Sequence, residues 1–180
     1  TALALDPRGL AQAEPQSREV LKADPDHVPA LMAQAALFRA QADGKMAATL
    51  YERVLRVFPR FAPASRELGL VSASDPAQGQ KAYDLLSRTR EAYPEDGDVA
   101  RALALLSYQR KDYRYTATLL ESFVQRQPND SEALFYLGMA QCQTRQMDRG
   151  KEQLRKAIAA GLKEPLLAEA KQVLAAPSSQ

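Results

Sequence analysis

One cysteine, one histidine and a net charge of only +2 leave this sequence with little conspicuous chemistry. Cys142 stands alone, so no internal disulfide can form, which suits the cytoplasm or a disulfide-free protein of the bacterial periplasm. Without a CxxC motif or a neighbouring histidine, Cys142 reads as a small packing residue. His27 lacks the several converging ligands that a metal site needs and reads as a surface loop residue. The 24 basic and 22 acidic residues are mixed along the chain, without the basic stripe that marks a nucleic-acid binder. No stretch approaches the roughly 18 apolar residues of a membrane span, so membrane insertion is not expected. Gly44-Lys45 lacks the preceding glycine of a phosphate loop, and no pair of acids forms a catalytic constellation. The expectation is therefore no enzyme, no cofactor and no metal.

What the sequence does hold is a period. Its 46% hydrophobic and 26% charged residues suffice for a packed core. Pro25 to Pro59 spans 34 residues, Pro59 to Pro94 spans 35, and Pro94 to Pro128 spans 34. Each proline follows an apolar-periodic stretch. Proline lacks a backbone donor and disfavours helix in the residue before it, so each marks a helix end. Two helices fit between successive prolines. In the clearest copy the first runs over Glu132–Cys142, with Asp130 or Ser131 as N-cap, and a polar turn follows at Thr144-Arg145-Gln146. The second runs from about Met147 to Ala160 and closes at Gly161. Asn129-Asp130-Ser131 fits a glycosylation pattern but otherwise serves as a helix cap.

These positions resemble the tetratricopeptide repeat (TPR), a helix pair with small residues where the two helices cross. Leu134, Leu137, Gly138, Gly150 and Leu154 match in order and spacing; Leu31, Ala35, Phe38, Ala47, Tyr51 and Pro59 form an earlier copy. Leu68, Gly69, Ala82, Leu86 and Pro94 form the next, with its extra residue in the turn over residues 72–79. Ala100, Leu103, Ala104, Thr116, Leu120 and Pro128 form the third in chain order. Ala35, Gly69, Ala104 and Gly138 are expected at the crossings, faced by Ala47, Ala82, Thr116 and Gly150. The resemblance implies an all-α fold, a right-handed superhelical solenoid of antiparallel helix pairs. It divides the chain into a partial, irregular repeat (1–27), four units (28–61, 62–96, 97–130, 131–162) and a capping helix with tail (163–180). Pro165 is expected to start that last helix, over Leu166 to about Leu174, since proline suits a helix start. Pro15 predicts only a short helix from about Gln16 to Ala23. Thr1–Pro7 reads as the end of an amphipathic helix, as if the chain had been cut from something longer and lacked its native N-terminus.

The same resemblance implies a protein-interaction scaffold whose first helices line a concave groove that takes a peptide or helical segment. Helical spacing nominates Met32, Arg39, Arg66, Leu70, Arg101, Leu105, Tyr108, Phe135, Met139 and Gln143 as its lining, with Ala36, Ala73 and Cys142 beside them. Arg39, Arg66 and Arg101 favour an acidic or amphipathic partner, unless Glu67, Asp98 and Glu132 neutralise them. The carboxylate clamp of TPR co-chaperones is not reproduced, because its places hold Met32, Ala36, Glu67, Asp98 and Ala102. Shifted one repeat along, they hold Arg66, Leu70, Ala102, Glu132 and Tyr136. The Ala-, Arg- and Gln-rich style suggests a bacterial source. Two other readings stay open: self-assembly into a homo-oligomer through terminal repeats, and a docking arm of an enzyme whose catalytic domain lies elsewhere.

Overall fold

The computed structural model describes residues 7–176, with side chains from residue 14 onward. The expected helix end over residues 1–6 lies outside the described residues. The described residues form ten α-helices in order: α1 Pro7–Ala23, α2 Val28–Ala40, α3 Gly44–Val57, α4 Ala62–Ser72, α5 Gly79–Ala92, α6 Gly97–Gln109, α7 Tyr113–Arg126, α8 Ser131–Gln143, α9 Met147–Ala159 and α10 Leu166–Ala175. Consecutive helices pack on one another through short connections within two compact units, residues 1–94 and 95–180.

Local sequence explains the helix ends. Asp43, Asp96, Asp112 and Asp130 are N-caps whose carboxylates accept the backbone N–H three residues on, at 2.8–3.1 Å. His27 is also a cap: its Nδ1 accepts from the Ala30 N–H at 3.4 Å, so it is more than a loop residue. Three turns between paired helices reverse through a non-glycine residue at positive φ, namely Ala42, Lys111 and Arg145. In each, the residue after the reversal donates its N–H back into the first helix, as Asp112 does to Ser107 O at 2.9 Å. The remaining turn absorbs its extra residue in a 3-10 turn over Pro76–Gln78, capped by Asp75.

α1 departs from the sequence reading. It is one helix of 17 residues that runs through Pro15, where a break was expected. A proline inside a helix costs about 3 kcal/mol, and packing on α2 offsets that cost. Leu21 joins the cluster around Leu31 and Tyr51, and buried Ser17 accepts from Gln34 Nε2 at 3.3 Å.

The small residues sit where helices cross. Ala35, Ala47, Ala82, Ala104 and Thr116 are wholly buried, as are Gly69, Gly138 and Gly150 in their pairs. Thr116 Oγ1 donates across its crossing to Ala104 O at 3.4 Å. At the α8–α9 crossing a β-carbon on Gly138 would stand 2.8 Å from Gly150 O, so backbone lies directly on backbone. Cys142 Sγ fills the remaining space over Gly150. Burial holds this thiol above its ordinary pKa, with Lys151 opposing. Cys142 should therefore react with iodoacetamide at pH 8 more slowly than free glutathione, because less of it is thiolate. Equal or faster alkylation would contradict its placement.

Candidate functional site

In residues 1–94, α2 and α4 share a face. Met32, Ala36, Leu70 and Ala73 are half-buried there. Arg39 Nη1 donates to Glu67 Oε2 at 2.6 Å, and Arg66 Nη1 donates to Glu67 Oε1 at 2.7 Å. One carboxylate thus holds two guanidinium groups. Tyr51 approaches from α3, fully buried. Its phenol is pushed up to about 12, chiefly by burial and then by Glu67, with Arg39 and Arg66 opposing.

In residues 95–180, α6, α8 and α10 form a row. Leu105 and Tyr108 of α6 are half-buried on its face. Arg101 donates Nε to Asp130 Oδ2 at 3.1 Å and Nη2 to Glu132 Oε2. Gln143, the last residue of α8, is exposed. Phe135 and Met139 differ from the sequence expectation. Both are buried, at 1% and 6% exposure, in a cluster with Tyr108, Tyr136, Leu166, Val173 and Leu174. A 13-residue α8 with apolar side chains on most of its circumference needs cover on more than one side, and α10 supplies it. These two residues support the face and do not present it.

The structure brings forward a side chain that sequence reasoning did not nominate for the lining. Tyr136 packs edge-to-face on Tyr108, with ring centroids 5.0 Å apart at 67°. Tyr113, at the start of α7, meets Tyr108 in the same way at 5.4 Å and 66°. The phenol of Tyr108 is pushed up to about 12, first by burial and then by Glu169 of α10. That of Tyr136 is raised by burial, Glu132 and Glu169, against Arg101. Tyr136 follows Phe135 directly, but periodicity cannot rank neighbours when α8 is apolar nearly all round.

The three arginines are therefore all bonded to carboxylates, which removes their support for an acidic partner. Among the described residues, no group of three or more His, Cys, Asp or Glu side chains converges as a metal site. No helix there is long and apolar enough to cross a membrane.

Antiparallel helix pairs repeating at about 34 residues, with small residues at every crossing, define the tetratricopeptide-repeat fold, and the chain is an all-α repeat protein of that kind. It is similar to YrrB, described as a TPR protein with an unusual peptide-binding site: TM-score 0.74 and 18% identity, over 92% of this chain and 84% of that one. It is also similar to MamA, with TM-score 0.68 and 20% identity over 91% and 92% of the two chains. A MamA from Desulfovibrio magneticus RS-1 gives TM-score 0.68 and 17% identity over 87% and 88%. No family model matches the sequence, and no curated protein does.

Proposed function

We propose that the chain is a protein-interaction scaffold that receives a peptide or helical segment of a partner on the face of its first helices. The observation that carries this is an asymmetry between the two sides of a helix pair. On α6 and α8, Leu105, Tyr108 and Tyr136 remain partly open to solvent. On α9, the exposed side chains are mostly charged: Asp148, Arg149, Glu152, Arg155 and Lys156. Partly exposed aromatic and aliphatic side chains on a rigid helical face suit a partner's apolar anchors, whereas a charged face suits water. The likeness to YrrB supports the same reading through the peptide-binding site in that protein's description.

The test is a pull-down from the source organism with wild type and a Leu105→Glu variant, after circular dichroism shows that the variant folds. A partner retained by wild type should be reduced at least about tenfold by the variant, the scale expected for a charge placed at an apolar anchor. Equal capture would place binding elsewhere on the molecule.

A further inference from the structure

The chemistry of the partner can be narrowed from the tyrosines of α6, α7 and α8, an inference that rests on the first-helix face being used. Tyr108, Tyr113 and Tyr136 are each half-buried. Tyr108 stands at 66° to Tyr113 and at 67° to Tyr136, so it makes a corner with each and the three do not stack into a closed pile. Ring faces carry negative potential and attract a cation within about 6 Å of the centroid.

The charges nearby add to that potential. Arg101 opposes the rise at Tyr136, and Asp130 and Glu132 both hold it. Glu169 is left over. It is exposed, has no ion pair among the described residues, and lies on α10 next to Ala170, which packs in one cluster with Tyr108 and Tyr136. A carboxylate beside an aromatic corner complements an alkylammonium or guanidinium group, which would gain ring contact and charge at once. An acidic side chain at the same place would meet like charge from Glu169 and from the ring faces.

We infer that the corner formed by Tyr108, Tyr113, Tyr136 and Glu169 receives a lysine or arginine side chain of the partner segment. The preference is thus for a basic anchor, opposite to the one the arginines suggest in the sequence alone.

The test uses immobilised full chain and degenerate decapeptide pools whose central residue is fixed as Arg, Lys, Glu or Leu. Wild type should retain the Arg and Lys pools about three- to tenfold more than the Glu pool, in keeping with one cation–π contact plus one carboxylate. Glu169→Gln, at an exposed position, should remove most of that difference. Tyr136→Leu, which keeps the apolar bulk and removes the ring face, should do the same. Preferential retention of the Glu pool would overturn the inference while leaving the first-helix face as the binding surface, provided Leu105→Glu abolishes it. Retention of the Arg and Lys pools that neither Glu169→Gln nor Tyr136→Leu changes would overturn the corner as the site. Equal retention of all pools, or of none, would overturn it too. A wild-type dimer that Glu169→Gln makes monomeric would assign the corner to a second copy and likewise overturn the inference.

Discussion

Replacing Gly150 by alanine is expected to destabilise residues 95–180 by about 3 kcal/mol, the upper end for overpacking a closed core. Helix propensity alone predicts the opposite sign, since alanine in a helix is favoured over glycine by about 1 kcal/mol. The difference lies in what the added methyl meets. It would stand 2.6 Å from Gly138 O and 2.9 Å from Cys142 N, with Cys142 Sγ also in the way. Cys142 Sγ can swing aside, but two of these three atoms are backbone of α8. Relief therefore requires α8 and α9 to move apart, which would loosen Leu154 and Ala157 from the cluster they share with Leu134. Urea unfolding followed by circular dichroism measures the change. Gly44→Ala is the control, because its methyl meets only Val71 Cγ1 at 3.4 Å and should be close to neutral. A Gly150→Ala protein as stable as wild type would mean that the α8–α9 crossing is looser than described.

Tyr51→Ala should cost about 4 kcal/mol, within the range for truncating a large buried aromatic. Tyr51 is 1% exposed and packs among Leu31, Ala35, Ala47, Val54, Ala64 and Leu68, so its loss opens a cavity that three helices line. Tyr51→Phe keeps the volume and separates packing from titration. With the folded pKa raised from 10 to about 12, the neutral phenol's contribution is complete below pH 10 and is lost as pH rises toward 12. Tyr51→Phe should accordingly show a shallower loss of stability between pH 10 and 12 than wild type. Identical slopes would show that Tyr51 titrates as freely in the fold as out of it.

The architecture was legible because it is carried by features that a single sequence displays. Prolines every 34 or 35 residues gave the period, and small residues at Ala35, Gly69, Ala104 and Gly138 gave the crossings. The helix ends of α8, α9 and α10 followed from Asp130, Gly161 and Pro165. Other features left no such mark. Positive φ at Ala42, Lys111 and Arg145 is imposed by hydrogen bonds that close the turn, and these residue types do not announce it. Continuation of α1 through Pro15 depends on α2, which lies 13 or more residues further along. The absence of tryptophan removes the bulkiest residue of the repeat signature, in keeping with a chain that no family model matches although its fold is plain.

The candidate face was only half legible, for a related reason. Spacing found Leu105 and Tyr108, but it cannot say what a later helix will cover. α10 covers Phe135 and Met139 and leaves Tyr136 partly open. Nor does spacing settle charge. Arg39 and Arg66 share Glu67, and Arg101 is held by Asp130 and Glu132, pairings set by neighbouring repeats about 28 to 31 residues apart in the case of Arg39 and Arg101. Glu169 is brought to the side of the tyrosine cluster only because α10 packs on α8.

Photo-crosslinking tests most directly whether a partner sits on the first-helix face. Benzoylphenylalanine would be placed singly at Leu105 and Gln143 on that face, and at Glu152 and Arg155 on the exposed side of α9, and irradiated in a lysate of the source organism. The predicted result is one partner band crosslinked from Leu105 and Gln143 and absent from Glu152 and Arg155. The same band arising from the α9 positions, and not from Leu105 or Gln143, would contradict binding on the first-helix face.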